Sequence, residues 1–257
     1  MTTLKDVQYY WDEYPCGIQV SDKETGSREF FEEIKNKFDR TYAAYAHSEK
    51  LLRFKERKGK SVLEIGCGIG IDAAEFARHG AQVTTLDLSP KNIELAKKYF
   101  VYNNLSGNLL VGNAEAMDFG DNTFDVVVAI GVFIYTPDTQ KAIDEVLRVV
   151  KPGGEVICMF WNRISWYPLL VRLSGGHFDH EEKDAPLIKL YSTTEIKNMF
   201  GKFSKVEIET DRFPSKSIKR SGLLAKLYNY GLVPLCKVVP KALVKPFGFH
   251  IIVKAVK

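Results

Sequence analysis

The sequence predicts one α/β domain on a doubly wound, seven-stranded, mostly parallel sheet, with an N-terminal helical cap and an insertion between the last two strands. Three observations carry this reading. Strand-like and helix-like segments alternate through the middle of the chain at the spacing of βαβ units. A glycine-rich turn, Gly66-Cys67-Gly68-Ile69-Gly70, joins the first strand signal to the first helix signal. Phe124–Ile130 is apolar except at Asp125, the pattern of a strand buried on both sheet faces.

The elements follow in order. Ser61–Ile65 is a short β-prone run, and Ile71–His79 is helical, with Gly80 at the position that closes a helix. Ala81–Leu86 is the second strand. Ser89-Pro90 supplies a capping hydroxyl and a first-turn proline for a helix over Lys91–Tyr99. Asn108–Val111 and Phe124–Ile130 are the third and fourth strands. Thr139–Val150 is a helix with Ala142, Val146 and Val149 on one face, ended by Lys151-Pro152-Gly153-Gly154. Glu155–Phe160 is the fifth strand, Thr193–Phe200 a further helix, Lys205–Thr210 the sixth strand and His250–Val256 the seventh. The expected organisation is a helical, aromatic-rich cap over residues 1–58, a core over 59–210, an insertion over 211–249 and the final strand over 250–257.

The 257 residues are the length of one large domain. At 45% hydrophobic and 26% charged, the composition excludes a disordered, collagen-like or coiled-coil chain. No apolar run approaches the ~20 residues of a membrane span, and the first residues lack a secretory apolar stretch, so the expected location is the cytoplasm. Cys16, Cys67, Cys158 and Cys236 lie far apart, which fits free thiols and suggests no metal site.

Charge is unevenly spread. Residues 213–257 hold nine basic residues and no acidic one, which leaves 27 basic against 32 acidic residues in the first 212 positions. Leu223, Leu224, Leu227 and Tyr228 recur at helical spacing there, and Val233–Val244 is apolar with interspersed lysines. Such a segment over 213–249 fits either peripheral contact with an anionic membrane face or a covering layer whose lysines reach past the core. Nucleic acid is not an expected partner, because aliphatic side chains interrupt the basic ones and no recognition module is visible.

The chemistry concentrates at strand ends. Glycines at the end of the first strand let a ligand approach the backbone. The spacing is G-x-G-x-G, with Ile71 where a dinucleotide fingerprint has its last glycine. Glu64, inside the strand just ahead of the turn, would repel a pyrophosphate and accept a cationic or neutral ligand. Asp87, ending the second strand, suits both hydroxyls of a ribose, so a ligand containing adenosine is implied. Further on stand Gly112-Asn113-Ala114-Glu115, then Ala129-Ile130-Gly131-Val132, then Arg148-Val149-Val150-Lys151-Pro152-Gly153-Gly154.

From Lys60 to Phe160 this ordered set resembles the class I S-adenosylmethionine-dependent methyltransferases, in the branch of small-molecule, quinone and lipid methyltransferases. The resemblance implies a Rossmann-like methyltransferase fold with S-adenosyl-L-methionine as cofactor. It implies that Glu64, Gly66, Cys67 and Gly68 border the methionine part, that Asp87 holds the ribose and that Leu88 packs on adenine. Asn113 and Ala114 would meet the adenine edge, and Ile130-Gly131 would lie beneath the sulfonium. Asn113 stands where the family usually has Asp. Phe133-Ile134-Tyr135 replaces a common leucine and histidine pair, so a histidine base is not expected there.

The expected function is methyl transfer to a small-molecule acceptor, hydrophobic or lipid-like, with catalysis mainly by positioning. Tyr135 and His177 are the candidates for orienting or deprotonating the acceptor. Trp161, Trp166 and Tyr167 are candidates for the acceptor wall, and Tyr9-Tyr10-Trp11 for a lid. Two other readings stay open: an NAD(P)-dependent oxidoreductase, and a non-catalytic cofactor-binding subunit docked on a membrane.

Overall fold

The computed structural model describes residues 2–15, 18, 21–41, 49–174, 178, 184–213 and 226–257. Seven strands form one sheet: β1 Ser61–Ile65, β2 Gln82–Asp87, β3 Asn108–Val111, β4 Phe124–Ile130, β5 Val150–Trp161, β6 Lys205–Asp211 and β7 His250–Val256. Their order is β3-β2-β1-β4-β5-β7-β6. The first five pair in parallel, while β7 runs antiparallel between β5 and β6. The order reverses between β1 and β4, and a doubly wound sheet opens its ligand crevice outside the carboxyl ends of strands at such a point.

Central position explains the composition of β4. Val127, Val128 and Ala129 are wholly buried, and a side chain of valine size gains roughly 1.5–3 kcal/mol from such burial. Asp125 is tolerated because it lies at the opposite end from the crevice. There it accepts from the Ser61 amide at 2.8 Å and from the Lys151 ammonium at 2.9 Å.

The helices start where local chemistry dictates. In α5, Pro90–Tyr102, the Ser89 side chain accepts from the Asn92 amide, with Pro90 in the first turn. In α6, Thr139–Val149, Asp138 caps the start, and Ala142, Val146 and Val149 face the core as the spacing predicts. Reciprocal capping pairs, Thr3 with Asp6 and Ser192 with Glu195, start α1, Leu4–Glu13, and α8, Thr193–Met199. By contrast α4, Ile71–Arg78, opens on Gly70 in the left-handed region without a side-chain cap.

The cap segment contains α1, α2 (Arg28–Thr41), the short α3 (Glu49–Leu52) and a 3₁₀ turn over Phe54–Arg57. It is joined to the sheet by the buried Arg57, whose guanidinium donates to both Glu155 carboxylate oxygens at 2.8 and 2.9 Å.

Two elements differ from the expectation. Lys151–Gly154, read as the turn ending a helix, is the start of a longer β5. The Gly153 amide donates to the Lys257 carbonyl and the Lys257 amide to that of Gly154, so a distant strand supplies the pairing. The second is α7, Trp166–Ser174, which follows β5 and holds Pro168 within its first turn, where proline removes no internal hydrogen bond. The described part of the insertion is helical too: a π-helical segment Leu227–Leu232, a helix Val233–Val238 and short turns over Lys241–Val244 and Lys245–Phe247. No helix among the described residues is long and apolar enough to cross a membrane.

Candidate cofactor site

A cavity of 170 Å³ opens at the carboxyl ends of β1, β2 and β4. Glu64, Gly66, Cys67, Gly68, Asp87, Leu88, Asn113, Ala114, Ile130, Gly131 and Tyr135 all line it. His177 lies outside the described residues.

The floor is the glycine turn. Gly66, Gly68 and Gly70 have φ of 67°, 53° and 80°, the left-handed region that favours glycine. At Gly66 the requirement is also steric, since an added Cβ would stand 2.3 Å from Val132 Cγ2. The turn continues the sheet's hydrogen bonding, with the Gly66 amide donating to the Leu86 carbonyl at 2.6 Å.

The electrostatics are one-sided. Three buried carboxylates, Glu64, Asp72 and Asp87, line the cavity, and none of the described lining residues is basic. Asp87 accepts from the Gly68 amide at 2.8 Å, the Ser89 amide at 2.9 Å and the Asn92 side-chain amide at 3.3 Å. Burial still outweighs these donors and pushes its carboxyl up to about 6. Glu64 is driven well above the usual carboxylate range, first by burial and then by the negative charge of Asp72, while the Ala73 amide opposes the shift. Glu64 Oε2 is buried with no hydrogen-bond partner. A carboxyl so shifted holds its proton while no cation is near. An orphaned oxygen at a cavity with no basic residue in its described lining suits a positively charged ligand, which would restore the carboxylate.

Cys67 contributes little chemistry. Burial and the neighbouring carboxylates raise its thiol well above the ordinary range, so it stays protonated. Cys67 and Cys158 are both free and buried; the side chains of Cys16 and Cys236 fall outside the description. Asn113 Oδ1 already accepts from the Glu115 amide at 2.9 Å, tightening its turn, and retains a second lone pair.

Helix α1 closes one side. Leu4, Val7 and Trp11 line the cavity, whereas Tyr10 is buried behind them and Tyr9 is exposed. Asp12 Oδ1 accepts from the Ser89 hydroxyl at 2.6 Å, pinning α1 to the residue whose amide holds Asp87. Tyr135 stands edge-on to Trp11 at 5.0 Å and to Trp161 at 5.8 Å between ring centres. Trp161 stacks on Phe178 and packs against Phe249, which packs on Tyr167. An aromatic wall therefore runs from the cavity toward β7. Trp166 lies farther out and donates to the Arg212 carbonyl at 2.9 Å.

The sequence did not single out Leu4, Val7, Asp72, Asn92, Val132 or Thr136, which also line the cavity. For Asp72 a signal existed, as an acid in the first turn of the helix that follows the glycines. Leu4 and Val7 come from a helix about sixty positions upstream, with no local mark of where it docks.

Comparison with known proteins agrees with this geometry. Residues 63–158 match the family model described as a methyltransferase domain. The ubiquinone biosynthesis O-methyltransferase of Vibrio cholerae is 31% identical over 150 residues, 54% of this chain and 61% of that protein. Its namesake in Coxiella burnetii is 33% identical over 106 residues, 41% of this chain and 45% of that protein. The chain thus spans less than two-thirds of the curated relatives it matches.

Among solved structures, the PH0226 protein of Pyrococcus horikoshii aligns with a TM-score of 0.58 at 20% identity, covering 96% of this chain and 98% of that one. The [4+2]-cyclase SpnF aligns at 0.57 and 17% identity, covering 99% and 96%. At these identities the likeness is one of fold, and a cyclase among the neighbours shows that fold alone does not fix the reaction. Residues 63–158 of the chain thus carry a methyltransferase domain, on the doubly wound sheet whose strand ends form the cavity.

Proposed function

We propose that the chain transfers a methyl group from S-adenosylmethionine to a small, largely apolar acceptor of quinone or other lipid-like type, at an oxygen. The observation that carries the cofactor half is the cavity with three buried carboxylates and no basic residue in its described lining. The aromatic wall of Trp11, Tyr135 and Trp161 supports an apolar acceptor. The printed name of the curated relatives supports oxygen as the accepting atom. An acceptor of this kind partitions into membranes, so the reading extends to a cytoplasmic protein that works peripherally at a membrane face.

Bound S-adenosylmethionine supplies an activated methyl group on a sulfonium, which leaves as the neutral thioether. Glu64 Oε2 would hold the cationic amino-acid end, and Asp87 the ribose hydroxyls. The Gly68 and Ser89 amides keep the Asp87 carboxylate oriented. Leu88, Asn113 and Ala114 would enclose the adenine, and the backbone at Ile130-Gly131 would leave space for the reacting centre. Helix α1 would exclude water, which strengthens each of these electrostatic contacts. Tyr135 would orient the acceptor, and its hydroxyl or the imidazole of His177 would serve as a route for the departing proton. Positioning contributes most of the acceleration, because the leaving group is already activated.

Incubation with methyl-labelled S-adenosylmethionine and cell extract, followed by solvent partition, tests the acceptor class. Label in the organic phase is expected; label confined to the aqueous or protein fraction would overturn the lipid-like acceptor.

A further inference from the structure

The apolar cluster on the helical segments between β6 and β7 has no use in the cofactor cavity. Leu227, Tyr230, Leu235, Val238, Leu243 and Phe247 are all more than half exposed, Tyr230 at 82% and Val238 at 78%. Large apolar side chains so concentrated are uncommon on a surface that meets only water. Two of the chain's other exposed aliphatics, Ile164 and Leu169, flank Trp166 in sequence.

Specific contacts tie these pieces together. Trp166 packs on Tyr228 at 5.6 Å between ring centres. The Asn162 side chain donates to the carbonyls of Pro246 and Gly248, both at 2.8 Å. Buried Tyr228 and Val233 anchor the helical segments and leave their neighbours exposed. Charge supplies the second argument. Residues 226–249 contain four basic residues and no acidic one, and Lys226 and Lys245 are exposed beside the apolar side chains.

We infer that this surface docks on an anionic lipid bilayer, with its leucines and aromatics entering the headgroup boundary and its lysines meeting lipid phosphates. A second copy of the chain fits less well, because two such faces would bring like charges together with no carboxylate from this segment to pair them. Nucleic acid fits less well because phosphates would leave the aliphatic side chains unburied. Docking here also sets α7 near the lipid, and Tyr167 of that helix packs on Phe249, which meets Trp161 of the aromatic wall. The inference does not depend on the acceptor, since binding is read without turnover.

The test is co-sedimentation of the full chain with vesicles of phosphatidylcholine mixed with phosphatidylglycerol, against vesicles of phosphatidylcholine alone. Binding to the mixed vesicles is expected to be at least about tenfold tighter and to weaken as salt is raised. Tyr230→Asp with Leu243→Asp should reduce binding about tenfold or more, and Lys226→Glu with Lys245→Glu should remove the salt-sensitive part. S-adenosylhomocysteine affinity, unchanged in both variants, serves as the check on folding. Should a variant fail that check, the lipid preference and salt response of the unaltered chain still decide. Equal binding to both vesicles, or binding kept by both folded variants, would overturn the proposal. So would a concentration-dependent dimer that the same substitutions abolish without any vesicle binding.

Discussion

At the β1–β2 end of the crevice, three carboxylates and a left-handed glycine turn come from a stretch of two dozen residues, Glu64 to Asp87. On the β5–β7 side, the wall consists of rings from well-separated segments: Trp11, Tyr135, Trp161, Tyr167 and Phe249. The first region concentrates cost, with buried charge, positive φ and a backbone approach that allows no Cβ. The second spreads its stabilisation over many ring contacts, each worth roughly 0.5–1.5 kcal/mol beyond burial. Single substitutions should therefore be severe in the first and mild in the second.

The sharpest break of that contrast is Gly66→Ala. Left-handed backbone and the clash with Val132 together should cost about 2–5 kcal/mol of stability. Cofactor affinity, measured by calorimetry with S-adenosylhomocysteine, should fall beyond detection. Adding Val132→Ala should recover part of the stability in thermal melts, because it removes the methyl that the new Cβ meets.

Asp87→Ala comes next. Losing the proposed hydrogen bonds to the ribose should weaken S-adenosylmethionine by about 1–3 kcal/mol. Unchanged affinity would remove the ribose assignment.

The raised Asp87 carboxyl, at about 6, gives opposite pH trends for stability and binding. The folded protein takes up a proton as pH falls through 6, while the unfolded chain waits until near its ordinary value. Ligand-free stability should thus gain up to about 3 kcal/mol from this group between pH 7 and 4, a gain lost again as pH rises through 6. With the proposed ribose contact made by the carboxylate, affinity should drop below pH 6 by up to about tenfold per unit. Asp87→Asn should flatten both trends, measured by denaturant melts and by titration calorimetry across that range.

The smallest effect is expected on the aromatic side. Tyr135→Phe keeps the ring contacts to Trp11 and Trp161, and kcat should change by no more than about threefold if positioning dominates. A loss of about a hundredfold would instead make the hydroxyl a general base.

The same contrast explains what could be read in advance. Residues 61–65, 108–111, 124–130 and 250–256 were legible as strands because their apolar runs end at glycine, proline or polar residues. Glu64, the glycines and Asp87 were legible because short spacing places them at adjacent strand ends. The start of β5 was not, since Gly153 and Gly154 look like a turn until Lys257 pairs with them. Nor could α7 be read, with Pro168 inside it, or the docking of Leu4, Val7 and Trp11 over the cavity. Those depend on partners far along the chain, which no local pattern names.

The carboxylate-lined cavity should receive S-adenosylmethionine and not a dinucleotide. Titration calorimetry of the unaltered protein with S-adenosylmethionine and, separately, with NAD decides between the two. One site for S-adenosylmethionine and no heat from NAD is the predicted result. Saturable binding of NAD, or none of S-adenosylmethionine, would contradict it.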